Sequence, residues 1–118
     1  MEKQKRFGLG RQGAAARVKV GTSSIHGRGL FAQRRIQDGA YVATFLGDIT
    51  TKNGMHVLWT RDKDDREIGI EGRNELRFLN HSPDPNAEFV GADLHALRNI
   101  QPGVELTIDY GDDWDDIE

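Results

Sequence analysis

The chain has 118 residues, no cysteine, and 16 basic side chains against 19 acidic ones, for a formal net charge of -3. That length suits one domain with one modest core, since folding at this size buries roughly two-thirds of the unfolded surface. Disulfides, thiolate zinc sites and cysteine nucleophiles are excluded; no apolar run approaches the roughly 18 residues of a membrane span, and the first six residues lack the apolar core of a signal peptide, so a soluble intracellular protein is expected.

The charges are separated along the chain. Lys3, Lys5, Arg6, Arg11, Arg17 and Lys19 crowd the beginning, and Asp112, Asp113, Asp115, Asp116 and Glu118 crowd the end. Within the basic part, Gly8, Gly10 and Gly13 formally satisfy a dinucleotide-binding pattern. That pattern works only between a buried strand and a helix, and the mostly charged residues before it cannot build the strand. Residues 1–16 are therefore expected to form a flexible basic arm, and residues 17–118 one folded domain ending in an acidic tail.

Val18 and Val20 alternate with Arg17 and Lys19, the period-two sign of a half-buried strand. Residues 21–29, with three glycines, read as a turn region, and residues 30–32 as a short strand. Gln37-Asp38-Gly39 is a turn before residues 40–45, a strand rich in β-branched and aromatic side chains. Gly47-Asp48 and Lys52-Asn53-Gly54 are turn signals, and residues 56–60 are the next strand. The charged run 61–67 reads as a hairpin tip whose return strand is Ile68-Gly69-Ile70. Residues 87–90, 94–97 and 105–110 complete the strands, the last of them after the turn Gln101-Pro102-Gly103. Short strands at close spacing, with no long helical period, predict a mostly β fold.

Residues 75–86, Glu-Leu-Arg-Phe-Leu-Asn-His-Ser-Pro-Asp-Pro-Asn, carry the densest information. Pro83 and Pro85 bar a continuing helix, so a short helix through Leu76 and Leu79 must end near His81. The corner leaves Asn80 and His81 outside any helix ladder, with backbone groups available to a small polar ligand. An ordinary polar turn would show the same local pattern. Two further segments decide between these readings: His26-Gly27-Arg28-Gly29-Leu30-Phe31-Ala32 before it, and Val104-Glu105-Leu106-Thr107-Ile108-Asp109-Tyr110-Gly111 after it. In this order and spacing the three resemble the signature of the SET-domain lysine methyltransferases, from Arg17 to Trp114. The resemblance implies a β-clip fold of short curled sheets with little helix. Its C-terminal segment would thread, pseudoknot-like, beneath the loop that holds Asn80 and His81, bringing both to Tyr110.

The same resemblance implies methyl transfer from S-adenosylmethionine, leaving S-adenosylhomocysteine, to a lysine of a protein substrate. Such a displacement needs neither a covalent nucleophile nor a metal, but it needs alignment and a neutral amine. Lysine has an ordinary pKa of about 10.4, so deprotonating it near pH 7 costs roughly 4 to 5 kcal/mol. Desolvation and repulsion from a sulfonium both lower that cost, which predicts an aromatic-lined site without a carboxylate at its centre. By resemblance Tyr110 is the catalytic residue, its neutral phenol orienting the amine or the donor. Gly27 and Gly29 would let the backbone approach the donor, Asn80 would bind the donor's amino-acid end, and His81 would use its backbone on the adenine. Arg28 has two readings, a partner for the donor's carboxylate or a solvent-exposed cation. His81 shows no ligand spacing to His26, His56 or His95, and no metal is expected.

Departures from the family matter too. Many members carry a cysteine after Asn-His-Ser and a cysteine-rich zinc segment beyond the catalytic tyrosine; here Pro83 stands at the first and Asp-Asp-Trp-Asp-Asp-Ile-Glu at the second. Trp114 is expected to close the pocket, over the adenine or as a wall of the lysine channel, with packing on the outside of the core as the rival. Asp112 and Asp113, together with Trp114, are expected at the mouth, where carboxylates favour a basic protein such as a histone or histone-like protein. The compact form resembles minimal viral and bacterial members, some of which pair as homodimers. A cytoplasmic, chromatin or nucleoid location follows. The alternative is a non-catalytic interaction module whose basic arm contacts nucleic acid; self-methylation of Lys3 or Lys5 is a third reading.

Overall fold

The computed structural model describes residues 17–54 and 56–111. The basic arm and the acidic tail, with Asp112, Asp113 and Trp114, lie outside the described residues. In chain order the strands are β1 Val18–Thr22, β2 Arg28–Ala32, β3 Tyr41–Thr44, β4 Gly47–Thr50, β5 Val57–Arg61, β6 Glu67–Gly72, β7 Asn80–His81, β8 Ala87–Val90, β9 Asp93–Ala96 and β10 Glu105–Ile108, with a 3-10 turn at Glu75–Phe78 between β6 and β7. They form three small sheets, ordered β1-β2-β10-β7, β3-β9-β8 and β4-β6-β5. The expected β-rich fold with little helix is what forms. No helix among the described residues is long and apolar enough to cross a membrane.

The sheets close on one core, which includes Val18, Leu30, Ile36, Val42, Leu76, Leu94, Ile100 and Leu106. Alternation explains how β1 reaches it. Val18 and Ala32 face each other across β1 and β2 with both side chains buried, while Lys19 beside them stays exposed. The charged hairpin is as expected, with Arg61 opposite Glu67 and Thr60 opposite Ile68. Asp62 ties its tip by accepting the N–H groups of Asp64 and Arg66, both at 2.9 Å.

Three local expectations change. The turn assigned to residues 21–29 is shorter, because β1 continues through Gly21 and Thr22 and β2 begins at Arg28. Gly47-Asp48 is strand rather than turn, and close approach is the reason. Gly47 stands opposite Gly72 in the β4–β6 ladder, a Cβ at Gly47 would land on the carbonyl of Glu71, and one at Gly72 would meet Phe45 and Arg77. The glycines here serve packing between strands, not reversal of the chain. Asn80 and His81, finally, leave the 3-10 turn as expected but enter a ladder of their own, pairing in parallel with Thr107 and Ile108.

That parallel pair defines the topology. Parallel neighbours need a long connection, and here the chain leaves β7, builds β8 and β9, and returns as β10 between β7 and β2. Asn86 extends the ladder with its side chain: its Nδ2 donates to the Glu105 carbonyl and its Oδ1 accepts from the Thr107 N–H, both at 2.9 Å. This is the threaded C-terminal segment that the resemblance implied.

Candidate active site

The loop between β1 and β2 is built around one hydroxyl. Ser23 Oγ accepts from the N–H groups of Ile25 (2.8 Å) and His26 (3.3 Å), and the Ser23 N–H closes the loop on the Gly27 carbonyl at 2.8 Å. Gly27 takes φ +43°, the left-handed region that glycine enters at no steric cost, and open space surrounds it. Gly29 is a glycine for a different reason: a Cβ there would fall on the carboxylate of Glu105.

Glu105 and Asn80 hold this loop from below. The Ser23 hydroxyl donates to the Glu105 carboxylate, 2.8 and 2.9 Å from its two oxygens. Asn80, only 8% exposed, directs Nδ2 to the carbonyls of His26 (3.1 Å) and Arg28 (3.0 Å) and to Glu105 Oε2 (2.8 Å). The amide nitrogen is thereby spent on the protein, and Oδ1 is the side-chain atom left to accept from a ligand. Arg28 is exposed, with its guanidinium 5.0 Å from the centre of the Phe78 ring; that of Arg77 lies 4.3 Å from the same ring.

His81 and Tyr110 meet as the threading requires, their ring centres 5.2 Å apart. The Tyr110 N–H donates to His81 Nδ1 at 2.9 Å, which puts the imidazole proton on Nε2. The Asp109 carboxylate stands 3.8 Å from the same nitrogen, but a nitrogen that accepts a hydrogen bond carries no proton to pair with it. The phenol of Tyr110 donates to the Leu79 carbonyl at 2.6 Å. Burial, and after it the negative charge of Glu105, raise the Tyr110 pKa above its ordinary value, so the phenol stays neutral.

Beside Tyr110 lies a small open hollow, walled by Phe45, Val57, Leu58, Leu76, Leu79, Phe89 and Ile108, with His56 and Arg77 as its polar members. Phe45 and Phe89 meet edge to face at 5.7 Å. His56 donates Nδ1–H to the Arg77 carbonyl at 3.0 Å. Among the described residues no carboxylate lines the hollow and no cluster of three metal-ligating side chains occurs.

The structure therefore brings Gly27, Arg28, Gly29, Asn80, His81 and Tyr110 together. Glu105, Ser23, Phe45 and Phe89 were absent from the residues expected at the site. A signal existed for Glu105, a lone carboxylate between Val104 and Leu106 on the face that Thr107 shares. Nothing local marked Ser23, because its partner lies 82 residues away.

Comparison with known proteins agrees with this arrangement. The SET domain family model matches residues 27–111. Histone-lysine N-methyltransferase 2B of Homo sapiens is 36% identical over 115 residues, covering 79% of this chain and 4% of the relative. Histone-lysine N-methyltransferase trithorax of Drosophila virilis is 33% identical over 116 residues, covering 79% and 3%. The chain thus spans a small fraction of the length of these relatives. Among solved structures, the methyltransferase domain of human Histone-lysine N-methyltransferase SETMAR superposes with a TM-score of 0.67 at 24% identity, covering 79% of this chain and 44% of that one, a likeness of fold. With the family pattern matched over most of its length and the threaded β7–β10 pair in place, the chain belongs to the SET domain family.

Proposed function

We propose that this chain is a protein-lysine methyltransferase that uses S-adenosylmethionine as methyl donor. The observation that carries the reading is the apolar hollow ending on the neutral phenol of Tyr110, two residues beyond the strand that also anchors the donor loop. The residues present fit such a donor. Gly27 leaves open space beside the backbone, Arg28 is an exposed cation without a carboxylate partner among the described residues, and Asn80 keeps Oδ1 for an ammonium group. Arg28, Asn80 and the backbone of Gly27, Gly29 and His81 would hold the donor, which when bound supplies an electrophilic methyl group on a sulfonium.

The chain's own contribution is to make a lysine amine reactive. Neutralising it near pH 7 costs roughly 4 to 5 kcal/mol. The walls of Phe45, Leu79, Phe89 and Ile108 withhold water from the amine, which favours the neutral form. Tyr110, fixed by Leu79, can then accept from the amine and orient its lone pair. We assign Asp112, Asp113 and Trp114 to the mouth, because they follow Tyr110 by two to four residues in sequence, and the acidic pair suits a basic protein substrate, histone-like in composition.

The test is transfer of isotopically labelled methyl from S-adenosylmethionine to a panel of basic proteins. Label on a panel protein, reduced about a hundredfold or more in Tyr110→Phe, supports the reading. Label confined to this chain and abolished by deleting residues 1–16 would place the acceptor in the arm. Absence of label together with absence of donor binding by calorimetry would sink the enzymatic reading in favour of the interaction module.

A further inference from the structure

Glu105 opens β10 opposite Phe31 of β2, and its carboxylate gathers the groups that shape the donor loop. On one side it accepts from the Ser23 hydroxyl, which itself accepts the N–H groups of Ile25 and His26. On the other it accepts from Asn80 Nδ2, which also donates to the carbonyls of His26 and Arg28. The entry to the loop is thus fixed through Ser23 and its exit through Asn80, both on one anion. Gly29 completes the arrangement, since any side chain there would occupy the place of the carboxylate. The anion is required because both partners are donors. A carboxylate accepts from each, whereas an amide at 105 would turn an N–H group toward one of them.

We propose that Glu105 is a positioning residue for methyl-donor binding, acting through Ser23 and Asn80 on the shape of residues 23–29 rather than on the reacting atoms. The proposal rests on the methyltransferase reading above. It assigns Glu105 a specific signature: the donor is affected and the protein substrate is not.

The experiment measures, for the wild type, Glu105→Gln and Ser23→Ala, the Kd for S-adenosylmethionine by calorimetry, KM for donor and for protein substrate, kcat at saturating donor, and hydrogen exchange at the Ile25 and His26 amides. In Glu105→Gln the donor Kd and KM rise about tenfold or more, the scale of one charged hydrogen bond, the substrate KM and kcat stay near wild type, and both amides exchange faster. Ser23→Ala cuts the same link from the loop side and shows the same pattern, which keeps the test decisive if the strand variant does not fold. A folded Glu105→Gln or Ser23→Ala with wild-type donor Kd overturns the proposal even where the melting temperature falls. So does a loss confined to kcat or to the substrate KM. A wild type that binds no S-adenosylmethionine instead overturns the methyltransferase reading and this proposal with it.

Discussion

Tyr110, the proposed catalytic residue, also bears on stability. Its phenol is raised from the ordinary 10.0 chiefly by burial and secondarily by Glu105. A group whose folded pKa lies above its unfolded one contributes stability that is complete below the unfolded value and is lost as pH rises through the folded one. The alkaline limb of stability, from pH 10.0 upward, should therefore fall less steeply in Tyr110→Phe than in the wild type, as read by denaturant midpoints along a pH series. At neutral pH the same variant leaves the Leu79 carbonyl without its donor and should lose about 1 kcal/mol in urea unfolding. Gly29→Ala should lose about 1 to 3 kcal/mol by thermal unfolding, the cost of forcing atoms into filled space. Gly29 was legible in the sequence as a glycine of the expected donor loop, but the packing that demands a glycine there was not, because the carboxylate that fills its side-chain space arrives from a strand 76 positions later, at Glu105.

Elements declared themselves where the pattern was local. The strands before and after the charged 61–67 run, the 3-10 turn stopped ahead of Pro83, and β3 with its run of Tyr41, Val42, Ala43 and Thr44 all follow from alternation, propensity and proline. β4 did not, since Gly47 and Asp48 carry turn chemistry and its extended form is imposed by β6 alongside. Gly47→Ala should accordingly unpair or displace β4, with a loss of about 1 to 3 kcal/mol in denaturant unfolding. The neighbouring Arg73–Asp48 pair, at 2.7 Å but with both side chains 63% exposed, offers the contrast. Arg73→Ala should change stability little, and less at high salt than at low salt, measured by the same unfolding.

The whole molecule rests on a core whose buried side chains come chiefly from β1, β2, β3, β8, β9 and β10, and it closes only when β10 lies between β2 and β7. Leu106, with no exposed surface, sits at that closure; Leu106→Ala should cost about 2 to 5 kcal/mol by denaturant unfolding. The family motifs made the overall fold and the meeting of Asn80, His81 and Tyr110 legible. The hollow was less so: Phe45 and Phe89 become neighbours through β3, β9 and β8 together, a juxtaposition no short window of sequence contains. The parallel β7–β10 pair has a thermodynamic consequence. Ser23 to Glu105, Asn80 to Arg28 and Tyr110 to Leu79 are bonds between distant parts of the chain, so the pocket cannot persist in a partly melted molecule that has released β10. A donor that binds this pocket would bind the intact fold alone, and its full binding energy would appear as resistance to melting, about 2.7 kcal/mol at a hundred times its Kd. Heat would then report occupancy directly, with no methyl group transferred and no substrate protein in hand.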